Sequence, residues 1–118
     1  MRGASEERRR NLIKNLPTGE VVDLASLVSY QEGQVVSRTL VQGDGTSLTL
    51  FAFASGEGLT AHTTAADALV LMLDGEALIE IDGAGSVVKA GEAIVMPANT
   101  PHAVTAEQQF KMLLMISG

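Results

Sequence analysis

Downstream of about residue 35 the chain is a succession of short apolar runs, cut at nearly regular intervals by turn residues. Residues 35–41 end at Gly43-Asp44-Gly45 and residues 48–54 at Gly56-Glu57-Gly58. Residues 68–73 and 77–81 are parted by Asp74-Gly75, and residues 93–96 run into Pro97-Ala98-Asn99-Thr100-Pro101 before a last run over 110–116. None of these runs has the ten or more residues of a core helix, and their composition favours strands, so the pattern predicts an all-β antiparallel sandwich or barrel. The Asp74-Gly75 pair between two apolar runs predicts a two-residue hairpin, because both residues tolerate the positive φ such a turn requires.

Upstream of the strands the sequence changes character. Leu12, Ile13 and Leu16 give a thin apolar stripe that predicts a short helix to about Leu16, ended by Pro17-Thr18-Gly19. Asp23 is placed to cap a single turn through Ala25 and Leu27. The organisation expected is therefore a helical and extended segment over 1–34 and one barrel over 35–118. At 118 residues there is room for one core of ordinary size.

The absence of cysteine removes disulfides, thiolate metal sites and cysteine nucleophiles. The opening residues MRGASEERRR carry charge where a secretory signal needs an apolar run, and no stretch has the length of a membrane span. A cytoplasmic location with no membrane partner is expected. Charge is unevenly spread: residues 1–14 hold five basic and two acidic groups, net +3, whereas the remainder holds three basic and twelve acidic ones, net −9. An acidic body repels phosphate backbones, so no nucleic-acid partner is expected.

Two of the runs, Leu69-Val70-Leu71-Met72-Leu73 and Met112-Leu113-Leu114-Met115-Ile116, do not alternate. A strand apolar on both faces needs cover on both. A second subunit or the N-terminal segment would supply it, and a homodimer is the expectation.

Two glycine-anchored segments carry a family resemblance. Residues 56–75, with Gly56, His62 and Gly75 in place, resemble the first cupin motif, G-x5-H-x-H-x(3,4)-E-x6-G. Residues 91–106, with Gly91, Pro97 and His102, resemble the second, G-x5-P-x-G-x2-H-x3-N. The spacing between them is typical of small bacterial cupins, and the resemblance implies a double-stranded β-helix, a jelly-roll barrel. Four positions depart from the motifs: Thr64 stands for histidine, Ala68 for glutamate, Asn99 for glycine and Ala106 for asparagine. Gly56, Gly75, Gly91 and Pro97 are expected at turns, and Asn99 can take the left-handed conformation of the glycine it replaces.

The resemblance also implies a metal held by three histidines and a glutamate, of which only His62 and His102 remain. Asp67 neighbours the glutamate position, but alternation along a strand should turn it outward, so a His62, His102, Asp67 set would hold at most a weakly bound divalent transition metal. Met72, Met96 and Met112 on inward positions would suit Cu(I) or simply fill an apolar lumen, and core packing is the stronger reading. The leading expectation is a small-molecule-binding barrel whose pocket is lined by His62, Thr64, His102, Met72 and Met96, with the two imidazoles as hydrogen-bonding or acid–base groups. A metal-dependent cupin enzyme of the isomerase, decarboxylase or dioxygenase kind is the alternative, and a dimerising interaction module is another.

Overall fold

The computed structural model describes residues 13–118. Nine strands follow a single 3-10 turn over Leu24–Leu27: β1 (Val35–Gly43), β2 (Thr46–Phe53), β3 (Leu59–His62), β4 (Asp67–Asp74), β5 (Glu76–Ile81), β6 (Ala84–Lys89), β7 (Ala93–Met96), β8 (His102–Thr105) and β9 (Phe110–Ser117). They form a five-stranded sheet in the order β1-β2-β9-β4-β7 and a four-stranded sheet in the order β3-β8-β5-β6, every pairing antiparallel. The fold is the all-β jelly-roll expected.

Alternation decides which side chains fill the space between the sheets. Along β4, Ala68, Val70 and Met72 are buried while Leu69, Leu71 and Leu73 are half-buried on the other face. The inner residues join Phe53, Ala77, Ile79, Val88, Met96, Val104, Phe110 and Met112 in one core. Phe53 and Phe110, cross-strand partners on β2 and β9, stack with ring centroids 4.4 Å apart and nearly parallel planes.

The outer face of the five-stranded sheet holds a second core of Val28, Leu40, Leu50 and Ala52, onto which Leu16, Leu24, Leu27 and Tyr30 pack. Of the two strands that are apolar on both faces, the N-terminal segment covers Leu73 and Leu113, while Leu69, Leu71 and Met115 lie outside the cluster. Polar contacts tie this strap down. Arg38 on β1 donates to the carbonyls of Asn15 and Leu27, Lys111 on β9 donates to the Ala25 carbonyl at 2.6 Å, and the Tyr30 hydroxyl donates to Asp74. Lys111 also lies 5.0 Å from the centre of the Tyr30 ring. Two of the three basic residues beyond position 14 therefore serve as fasteners for strap carbonyls.

Three expectations need correction. Most of the helix expected to Leu16 lies outside the described residues. Residues 13–16 are not helical: Asn15 has φ 61° and its side-chain amide donates to the Thr39 carbonyl, which trades a helical turn for an anchor on β1. The turn over 24–27 does form, with the Asp23 carboxylate accepting from the Ala25 N–H at 3.2 Å.

Asp74-Gly75 is a corner and not a hairpin, since β4 and β5 belong to different sheets. Gly75, at φ 75°, passes so close to the β8–β9 loop that a Cβ would sit 2.6 Å from the Gln109 carbonyl oxygen. The hairpin is at Asp82-Gly83, whose φ values of 51° and 83° suit the type I′ turn that joins β5 to β6. Third, β3 and β8, each four residues, and most of β6 lie outside the apolar runs that mark the other strands.

Candidate functional site: a histidine pair on adjacent strands

His62 ends β3 and His102 opens β8, and the two are register partners in the four-stranded sheet. Their rings meet edge to face, with centroids 4.5 Å apart and planes 70° apart. The pair lies where the core meets solvent, for His102 is 4% exposed and His62 is open.

Each imidazole is oriented by the carbonyl two residues before it. His62 Nδ1 is 2.9 Å from the Thr60 carbonyl oxygen and His102 Nδ1 is 3.2 Å from that of Thr100. A carbonyl only accepts, so Nδ1 carries the proton in both rings, and in the neutral state Nε2 of each is a free lone pair. The contact repeats as Thr60-Ala61-His62 and Thr100-Pro101-His102, and that doubled Thr-x-His spacing is the sequence signal for it.

The loops that deliver the histidines are fastened to each other. The Asn99 N–H donates to the Thr64 carbonyl at 2.7 Å, and the Ala98 N–H donates to Asp67 Oδ1 at 2.8 Å. Asn99, at φ 59°, takes the left-handed conformation expected of it, and Pro97 follows the end of β7. Gly56, Gly75 and Gly91 all have positive φ, as turn positions should. Asp67 lies on the outward parity of β4 with Leu69 and Leu71, so its carboxylate holds the loop preceding His102.

The donor set does not fit a metal of the kind the fold implies. Thr64 directs its hydroxyl proton to the Ala66 carbonyl, and Ala68 is packed in the core with no donor to offer. Among the described residues no group of three or more His, Cys, Asp or Glu side chains is arranged to hold a metal ion. Two imidazoles alone fall short of the three protein ligands a stable mononuclear centre needs.

Met72 and Met96 face inward as expected, but both are enclosed in the core. They line neither of two surface hollows, one of about 530 Å³ over Leu78, Val87 and Glu107, the other of about 360 Å³ beside Gly45 and Ala66. The structure brings together His62 and His102, and it leaves Asp67, Met72 and Met96 in structural roles. No buried side-chain nitrogen or oxygen among the described residues lacks a partner. No helix among them is long and apolar enough to cross a membrane.

Comparison with known proteins agrees with this architecture. A conserved protein of unknown function from Streptococcus pyogenes is 38% identical over 92% of this chain and 96% of its own, with a TM-score of 0.88. A cupin superfamily protein from Desulfitobacterium hafniense is 36% identical over 89% of this chain and 96% of its own, with a TM-score of 0.85. A cupin 2 conserved barrel domain protein from Leptotrichia buccalis is 47% identical over 80% of this chain and 46% of its own, with a TM-score of 0.77. Among curated proteins none matches. The cupin domain family matches residues 49–117, well over half of the sequence and both histidine segments, and the chain belongs to the cupin family.

Proposed function

We propose that this cupin binds a small polar molecule at the His62–His102 pair, at the rim of the barrel and not deep in its lumen. The observation that carries the reading is the Nδ1–carbonyl contact that both rings share. Two neighbouring rings each spend their Nδ1 proton on a backbone carbonyl, so both keep Nε2 for a ligand. In the neutral state that arrangement accepts from a hydroxyl or amide donor, and on protonation the same atoms donate to a carboxylate. The filled core beneath, with Met72 and Met96 enclosed, limits the ligand to the rim. A hydroxy- or oxo-carboxylate offers both kinds of group at once.

Titrating 15N-labelled protein with a panel of small hydroxy- and oxo-carboxylates tests the reading. A binding member should shift the amides of Thr60 to His62 and of Thr100 to Ala103, and His62→Ala with His102→Ala should weaken it at least about tenfold, the loss of one charge-assisted hydrogen bond or more. Unchanged affinity in the double variant, or shifts confined to other strands, overturns the proposal.

A further inference from the structure

On the outer face of the four-stranded sheet two large apolar side chains meet in the open. Register sets Thr105, Leu78 and Val87 side by side across β8, β5 and β6, and Leu78 and Val87 are 37% and 54% exposed. They floor the hollow of about 530 Å³, a volume within the range of small-ligand sites. The depth has a local cause. Gly85 brings no side chain to β6, and Leu78 leans over it so closely that an added Cβ would lie 3.0 Å from Leu78 Cδ1. The hollow lies at the Thr105 end of β8, whereas His102 opens that strand at its other end.

Negative charge stands at both ends of this apolar floor. Glu76 and Glu107 line the hollow on one side, and Glu80, two positions beyond Leu78 on β5, shares their outward parity on the other. Lys89, the register partner of Glu76, offsets one of these three carboxylates and leaves two in excess. Four strand residues carry the chain from Glu76 to Glu80, a span of about 13 Å. Carboxylates spread that far cannot converge on one ion, and among the described residues no group of three or more such side chains does.

We infer that the hollow takes a linear aliphatic polyamine, its methylenes lying on Leu78 and Val87 and its ammonium groups placed at Glu76 and Glu107 on one side and at Glu80 on the other. The match is of pattern as well as sign: an apolar middle between two anionic ends is the complement of a methylene chain between two cationic ones. Glu76 and Glu107 are exposed, so each ion pair there adds little by itself. Contact of the methylenes with the floor is what separates this ligand from any other cation. The site is independent of the His62–His102 pair, which belongs to the other end of β8.

Titrating the full chain, labelled at its leucine and valine methyls, with spermidine at low salt tests the inference. The Leu78 and Val87 methyls should shift and saturate by about millimolar spermidine, while the amides of Thr60 to His62 stay in place. Magnesium at equal charge should leave those methyls unmoved, because it brings no methylenes to the floor. Glu76→Gln with Glu107→Gln should weaken binding at least about tenfold, and salt at about 1 M, where the screening length is about 3 Å, should abolish it. No saturation by about 10 mM spermidine, an equal methyl response to magnesium, or unchanged affinity in the double variant overturns the inference. If the double variant does not fold, Glu107→Gln alone, in the loop after β8, decides instead: a loss of about threefold or more supports the site, and unchanged affinity overturns it.

Discussion

The two sheets of this barrel share one core yet present opposite outer faces. On the four-stranded sheet, β5 turns Glu76, Leu78 and Glu80 outward between buried Ala77 and Ile79, the polar alternation of a surface that faces water. On the five-stranded sheet the equivalent positions are Leu48, Leu50, Leu69, Leu71 and Leu113. A sheet can afford water on one side only where its sequence alternates, and the five-stranded sheet does not. The strap and its fasteners exist because of that difference.

The sharpest way to break the comparison is to delete matched leucines. Leu50, fully buried beneath the strap, should cost about 2–5 kcal/mol when replaced by alanine, and Leu78, 37% exposed on the other sheet, should cost about 0.5 kcal/mol or less. Urea unfolding of both variants measures this, and equal losses would mean that the strap does not seal the second core.

A smaller effect sharpens the fastening. Arg38→Ala removes the donor that holds the Asn15 and Leu27 carbonyls and should cost about 1–3 kcal/mol, whereas Lys89→Ala on β6 should stay within about 0.5 kcal/mol. Hydrogen exchange would place the Arg38→Ala loss in β1 and the strap.

The smallest effect is a titration. Tyr30 is the sole tyrosine, and burial first, then its hydrogen bond and proximity to the Asp74 carboxylate, push its phenol above the ordinary value of about 10. The neutral phenol is the form that donates to Asp74, so this contact stabilises the fold fully below about pH 10 and is lost as the pH rises through the raised value. Absorbance of phenolate should therefore appear later than in free tyrosine, and Asp74→Asn should bring it back toward the ordinary range.

Much of this architecture was legible in the residues, and the failures share a cause. Positions whose behaviour is local read correctly: Asp23 capping its turn, Asn99 accepting a left-handed backbone, Pro97 closing a strand. The Asp74-Gly75 pair has hairpin chemistry, but the chain there changes sheets, and only the packing of Gly75 against Gln109 decides that. Likewise β3 and β8, which carry the histidines, are too short and polar to stand out, although their motif spacing placed the two rings near each other. Which element would cover the apolar outer face was open between a second subunit and the strap, because alternation reports that a face is buried and not by what.

The order of the five-stranded sheet has a consequence for synthesis. Its central strand, β9, pairs with β2 on one side and β4 on the other, yet it is the last of the nine to leave the ribosome. Until residue 117 has emerged, β2 and β4 each present an unpaired edge rich in leucine, and the strap has only a fragment of its landing surface. The nascent chain therefore passes through a stage in which its most aggregation-prone strands are made but cannot be closed. Completion is a single late insertion, and ribosome-bound chains stalled before β9 should depend on chaperones in a way that chains extended past it do not.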